Sequence, residues 1–254
     1  MTEYPIYVPS RGRATLTNGT AHLFRHNGVP FHLVVESHEV DAYADMWGAE
    51  NLLVLPDVGR GIAFARNWIK DHAAAAGAQR HWQWDDNIRG VKNWDDGQRD
   101  WVDPLWVIDL AEKWTDKWAN VGAAGLMSTA FGHAIKEPFS VNQQVYCAML
   151  IRNDPLRFRS PTGIAAEDTD YSLQVLASGD CTIIFRAFQI EKAATGSMSG
   201  GNDRTYSDDG RLKRARWLQS KWGPEIVKVT RRHGRVHQDL SHVWRRFTQP
   251  LEPV

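Results

Sequence analysis

Four short β-prone runs near the start of the chain each stop at a polar cluster or a proline, and helix-forming stretches separate them. Residues 5–8 stop at Pro9, ahead of Ser10-Arg11-Gly12-Arg13; residues 29–35 end at Glu36; residues 51–55 are closed by Pro56; residues 81–84 deliver Asp85-Asp86-Asn87. A helix opened by Ser10 to Arg13 is expected to run to about residue 26, and a short one over residues 39–47. Ile62, Ala65, Ile69 and Ala73 fall at helical spacing and mark one apolar face that continues to about Gly77. Strands alternating with helices in this way pair in parallel, because each helix carries the chain back across a face of the sheet. The expected fold class is therefore α/β, with a mainly parallel central sheet of Rossmann type. Open sheets of this kind bind ligands beyond the carboxyl ends of their strands. Three polar clusters lie there: Ser10 to Arg13, Glu36, and Asp85 to Asn87.

After Gly90 the rhythm lapses. Residues 90–118 are rich in Trp and Asp and are read as a connecting loop followed by a helix over 104–118. Residues 121–127 and 145–151 return to strand character. Glu167-Asp168-Thr169-Asp170 precede a short amphipathic helix with Leu173, Leu176 and Ala177 on one side, ended by Gly179. Residues 181–190 read as a last buried strand, and the Gly and Ser run at 196–201 as a flexible loop, since it has little to bury.

Charge divides the chain more sharply than any linker. Residues 211–254 hold 11 Lys or Arg against Glu225, Asp239 and Glu252, a net charge of +8 that leaves −8 on residues 1–210. The expected organisation is a body over 1–210 with a basic extension over 211–254 packed on it. The extension suits a polyanionic partner, and equally an ordinary solvated face. The 12 Trp serve cores and stacking platforms alike. No run reaches the about 18 apolar residues of a membrane span, and the first residues lack a signal peptide's basic and apolar regions. A soluble, cytoplasmic protein without a membrane partner is expected. Cys147 and Cys181 have no CxxC spacing and are expected to be reduced core residues.

The polar clusters carry the candidate chemistry. Asp85-Asp86-Asn87 at a strand end could hold a hard divalent cation with positions left open for diphosphate oxygens, or could be a simple turn. Ser10-Arg11-Gly12-Arg13 offers two guanidinium groups where a helix N-terminus would also favour an anion; a plain capped helix is the alternative. Neither G-x-G-x-x-G nor G-x-x-x-x-G-K-[ST] occurs. Arg66, at the edge of the Ile62 stripe, either snorkels to water, the commoner case, or has a buried anionic partner. Glu167 and Asp168, with Asp170, either cap a helix or supply a general base. No H-E-x-x-H motif supports a zinc peptidase; His233, His237 and His242 cluster in the basic segment.

Taken in order, Ile6-Tyr7-Val8-Pro9-Ser10-Arg11-Gly12-Arg13, Gly61 through Ala65-Arg66-Asn67, Trp84-Asp85-Asp86-Asn87-Ile88 and Glu167-Asp168-Thr169-Asp170-Tyr171 resemble a GT-A fold glycosyltransferase. More narrowly, the set resembles the TET-associated glycosyltransferases of bacteriophages, and Lys221-Trp222-Gly223-Pro224 and residues 231–237 extend the likeness almost to the end of the chain. The resemblance implies glycosylation of a hydroxymethyl group on the 5 position of a pyrimidine in phage DNA, from a nucleotide sugar, most often a UDP-sugar. It implies that Pro9, Ser10, Arg11, Arg13, Glu36, Arg66, Asn67, Asp85 and Asp86 bind the donor, and that Asp168 and Glu167 are catalytic. It also implies a divalent metal, Mn²⁺ or Mg²⁺, on Asp85, Asp86, Asn87 and, as in related folds with a C-terminal His, on His237, with His233 second. Asn87 stands where the family motif has Asp, so one ligand lacks charge. With a DNA acceptor, Lys213, Arg214, Arg216, Arg231, Arg232 and Arg235 are the expected phosphate contacts. A protein or polysaccharide acceptor would leave the basic tail unexplained; nucleotidyl transfer and a non-catalytic DNA-binding module are the other readings.

Overall fold

The computed structural model describes residues 2–95, 97–132, 136–193, 208–232 and 235–254, with the backbone alone at 208 and 232. Strand β1 (Ile6–Pro9) is flanked by β2 (His32–Val35) and β4 (Arg80–Trp84), and β3 (Leu52–Val54) lies outside β2, all parallel. Helices α1 (Thr20–His26), α2 (Val40–Trp47) and α3 (Ile62–Ala75) make the crossovers. Leu33, Val34 and Val35 are all buried, as expected of a strand covered on both faces. On one face α3 packs Ala65, Ile69 and Ala73 against Tyr7 and Val34. On the other, Trp82 and Trp84 meet Phe24 and each other, with Phe24 and Trp84 ring centroids 4.9 Å apart.

Beyond β4 the sheet continues with β9 (Ala148–Arg152), β7 (Val121–Ser128), β10 (Cys181–Lys192), β5 (Ile88–Asp95) and β6 (Gln98–Val102); β8 (Phe139–Val141) also pairs β10. Strands β7 and β10 run parallel to each other, while β9 and β5 run against their neighbours. Helix α4 (Pro104–Thr115) starts cleanly because the Asp103 carboxylate accepts the Leu105 N–H at 2.8 Å and Pro104 needs no partner for its nitrogen. Helix α5 (Glu167–Ala177) covers β7 and β10. Helix α6 (Asp208–Trp222) and the hairpin β11 (Lys228–Arg232) with β12 (Arg235–Asp239) then dock on α5 through Leu218, Val227, Leu240, Val243 and Leu173. The chain end returns to the body: the Gln249 amide donates to Leu176 and Asp180 carbonyls, and Asn120 donates to Pro250. No helix among the described residues is long and apolar enough to cross a membrane.

Several sequence expectations need correction. Residues 10–19 form a loop, and α1 starts only at Thr20. Gly12 sits at φ 67°, and the loop's polar groups find partners outside any helical ladder: the Arg13 N–H donates to the Tyr43 hydroxyl, and the Trp47 indole to the Ala14 carbonyl. Residues 88–95 and 98–102 pair as the antiparallel strands β5 and β6 rather than forming a connecting loop. Their alternation is masked because aromatic and cationic residues share their surface, Lys92 lying 4.2 Å over Trp101 and Arg99 5.1 Å over Trp94. Residues 167–170 are the first turn of α5 rather than its prelude, and β10 is followed by two further strands. Cys147 and Cys181 are free and buried. The Gly and Ser run at 196–201 lies outside the described residues.

Candidate functional site

A cavity of about 480 Å³ opens at the carboxyl ends of the parallel strands. The loop after β1 contributes Pro9, Ser10, Arg11 and Arg13, the end of β2 Glu36, and the turn after β4 Asp85, Asp86 and Asn87. Facing them are Glu167 and Asp168 from the first turn of α5, Lys192 from the end of β10 and Arg214 from α6. Arg66 reaches in from α3.

Arg66 is 3% exposed and does not snorkel. Its guanidinium donates to Glu167 at 3.3 Å, Gln83 at 3.1 Å and Asp85 at 3.0 Å, tying β4 to α5. Gln83 is anchored in turn by the Arg66 carbonyl and by His81, which burial keeps neutral, its pKa pushed down to about 3. Burial alone would raise the Asp85 carboxyl, yet Lys192 and Arg66 hold it below the usual carboxylate range. Burial wins at Asp86, whose pKa is raised although Arg13 and Ser10 donate to it at 2.5 and 2.9 Å. Glu167 is pushed up to about 6, first by burial and then by the adjacent Asp168, with Arg66 opposing; its Oε2 is buried and accepts no hydrogen bond. Asp168 is more open. It accepts its own helix's Thr169 N–H at 2.6 Å and faces Arg214 at 3.6 Å.

Some sequence-selected residues lie elsewhere. Asn67 does not line the cavity: its amide donates to the Phe158 carbonyl at 2.9 Å and accepts the Phe158 N–H at 3.0 Å, clipping a loop to α3. His237 is exposed on β12, where its neighbour Gln238 turns toward α5 to reach Thr169; alternation points His237 away from the cavity. His233 lies outside the described residues. Arg214 is a cavity residue rather than part of an outer basic face, whereas Lys213, Arg216, Arg231 and Arg235 are exposed. The Arg232 side chain lies outside the description. Sequence reasoning missed Lys192, which lies two residues past the strand expected over 181–190 and so just where the strand-end rule points. It also missed Tyr146 and Cys147, which line the cavity from just before β9, where Cys147 holds φ 65°. Nothing in the local sequence marks those two.

The metal that the sequence led us to expect fits poorly. Both oxygens of Asp85 are engaged, by Arg66 and Lys192, and both of Asp86, by Arg13 and Ser10. Of the expected ligands, Asn87 keeps a buried oxygen without a hydrogen bond, and His237 is turned away. Among the described residues, one group has ligand atoms within 4.8 Å of one another, Glu36, His38 and Glu39. Glu36 Oε1 accepts the Gly59 N–H and Glu39 Oε1 the Gly12 N–H, while Arg11 lies 3.6 Å from Glu36 Oε2; the second oxygens of both carboxylates are buried and accept no hydrogen bond among the described residues.

The family model of the TET-associated glycosyltransferases matches residues 4–201, which include every cavity residue named above except Arg214. The chain belongs to this family. No curated protein matches it. Solved structures similar at a distance include the following two. One, from Desulfovibrio desulfuricans and described as a nucleotide-diphospho-sugar transferase, is 12% identical, over 73% of this chain and 80% of its own, with a TM-score of 0.40. The other, a UDP-glucose pyrophosphorylase complexed with UDP-glucose, is 9% identical, over 86% and 99%, with a TM-score of 0.43. Neither likeness is close enough to bear on chemistry. In this TET-associated glycosyltransferase the α/β sheet brings cationic strand-end loops and a pair of carboxylates to one cavity.

Proposed function

We propose that the protein moves a glycosyl group from a nucleoside diphosphate sugar, with UDP the favoured nucleotide, to the hydroxymethyl group of a 5-hydroxymethylpyrimidine in phage DNA, in the host cytoplasm. The observation that carries the donor half is the meeting of Arg13, Arg11 and Lys192 with Asp168 in one cavity at the strand ends. Guanidinium and ammonium groups suit a diphosphate, and the more open carboxylate suits the acceptor hydroxyl. Asp168 takes the hydroxyl proton as that oxygen attacks the anomeric carbon. The bond to the diphosphate breaks, and its electron pair leaves with the diphosphate oxygen. Glu167, buried on Arg66, positions rather than reacts. No step here runs through a metal ion, because the two carboxylates among the expected ligands, Asp85 and Asp86, are committed to cationic and hydroxyl donors.

The DNA half rests on family membership and on exposed cations beyond the cavity, Arg231 and Arg235 on the hairpin and Arg245 and Arg246 after it. The test is mass spectrometry of nucleosides after hydroxymethylated duplex is incubated with the protein and a panel of nucleotide sugars. A mass gain of one glycosyl unit on the modified pyrimidine is expected. Transfer to a protein or polysaccharide with DNA untouched would overturn the acceptor. Replacing Arg231 and Arg235 by Ala should also flatten the plot of log affinity for duplex against log salt, by up to about two slope units, since each phosphate contact contributes about −0.9. Unchanged slopes would remove the hairpin as the contact.

A further inference from the structure

We propose that Lys192 and Arg214 supply the charge that a divalent cation would otherwise bring to the departing diphosphate, so that this enzyme binds its donor without metal. The inference rests on the donor reading above. Lys192 closes β10 and pairs with Ile88, directly after the Asp85-Asp86-Asn87 turn. The register shifts between Glu191 and Lys192, and a bulge of that kind re-aims a side chain. Here it brings the ammonium to 3.3 Å from Asp85 and 2.8 Å from the Cys147 sulfur, on the cavity wall. Burial and then Asp85 raise the Cys147 thiol far above its ordinary range, so it stays neutral, and the charged partner of Lys192 is Asp85. An ammonium has three donors, and two are used among the described residues.

Arg214 stands on the other wall. It faces Asp168 at 3.6 Å and Thr169 at 3.4 Å, and its Nε is buried without an acceptor among the described residues. An orphaned buried donor on a guanidinium beside the cavity is costly unless something anionic completes it. As the sugar–oxygen bond breaks, the electron pair goes to the diphosphate oxygen. Fixed N–H donors aimed there stabilise that charge without reorganising.

Placing a metal on Asp85 and Asp86 instead would displace Arg13, Arg66 and Lys192. Arg66, 3% exposed, would lose one of its two carboxylates, and stripping a partner from a buried charge is strongly destabilising.

The experiment is calorimetry of the full chain with UDP, then ADP, GDP and CDP, each in EDTA and in Mn²⁺, with uridine as the nucleoside control. Wild type is expected to bind one diphosphate equally well in both buffers. Lys192→Met should weaken it by at least about tenfold, the size of one charge-assisted hydrogen bond, while leaving the nucleoside nearly unaffected. Lys192→Arg should recover part of the loss, and Arg214→Met should act in the same direction. Tenfold tighter binding of wild type in Mn²⁺ would overturn the inference and leave the transferase reading standing. So would Lys192→Met binding as wild type does. Failure of every diphosphate to bind in either buffer would overturn both. The wild-type comparison of buffers decides the question even if a variant does not fold.

Discussion

The two walls of the cavity are built by different means. One wall is the ends of β1, β2 and β4, where Ser10 to Arg13, Glu36 and Asp85 to Asn87 project because parallel strands stop in register. The other is assembled from the first turn of α5, the bulged end of β10 and a residue of α6, segments far apart in the chain that tertiary packing brings together, α6 on α5 around Leu173 and β10 under α5 through Ile184, Tyr171 and Val175. The first wall holds guanidinium groups against carboxylates; the second carries the two acids of α5 with Lys192 and Arg214. The proposed function implies a division of labour in which the strand-end wall would grip the nucleotide and the packed wall would handle the acceptor proton and the leaving group.

The largest expected effect tests that division. Asp168→Asn keeps the side chain's shape but cannot accept a proton, so kcat should fall by about 10²–10⁴-fold, the range for a general base. Donor affinity should stay within about twofold of wild type if the walls work separately. Calorimetry beside single-turnover rates checks both. An equal loss of donor affinity would put Asp168 in the grip and break the comparison.

The same contrast explains what could be read from the sequence. Periodicity located β1, β2, β4 and α3, and the strand-end rule then pointed at Glu36 and Asp85 without any knowledge of tertiary contacts. Legibility failed where the signal was not periodic. The loop at residues 10–19 looked helical because its polar residues suit a helix start, yet Tyr43 and Asp86, distant in sequence, provide its partners. The family resemblance implied Asn67 as a donor ligand together with Arg66, but adjacent helical residues face different ways, and of the two only Arg66 lines the cavity. Arg214 was counted with the basic tail, since only the docking of α6 on α5 turns it inward.

Arg66 joins the walls, touching Asp85 on one and Glu167 on the other. Arg66→Met roughly keeps the volume and removes the charge, stripping Glu167 of its buried cation and leaving Asp85 with Lys192 alone among the described residues. Breaking such a pair costs about 3–5 kcal/mol. In a chain of this length that is a fall in Tm on the order of 10 °C, readable by calorimetry at neutral pH. A change of only a degree or two would mean that the walls hold their shape independently and that the bridge is incidental.

The smallest effect asks which wall Arg66 serves more. Glu167 ordinarily titrates near 4.5 and is pushed up to about 6 by burial and Asp168 against the pull of Arg66. A raised carboxyl favours the protonated form in the folded chain, so it imposes no cost below pH 4.5, where both states are protonated. The cost grows as pH rises through the folded value and then levels off, reaching at most about 2 kcal/mol at about 1.4 kcal/mol per unit of pKa. Glu167→Gln removes that titration, so the Tm of wild type minus that of the variant should fall between pH 4.5 and about 6 and stay flat at pH 7 and above. If the difference instead rises over that window, Arg66 holds Glu167 as a carboxylate more firmly than burial and Asp168 oppose it. The guanidinium would then belong to the acid wall, and Asp85 would depend chiefly on Lys192 for its charge partner.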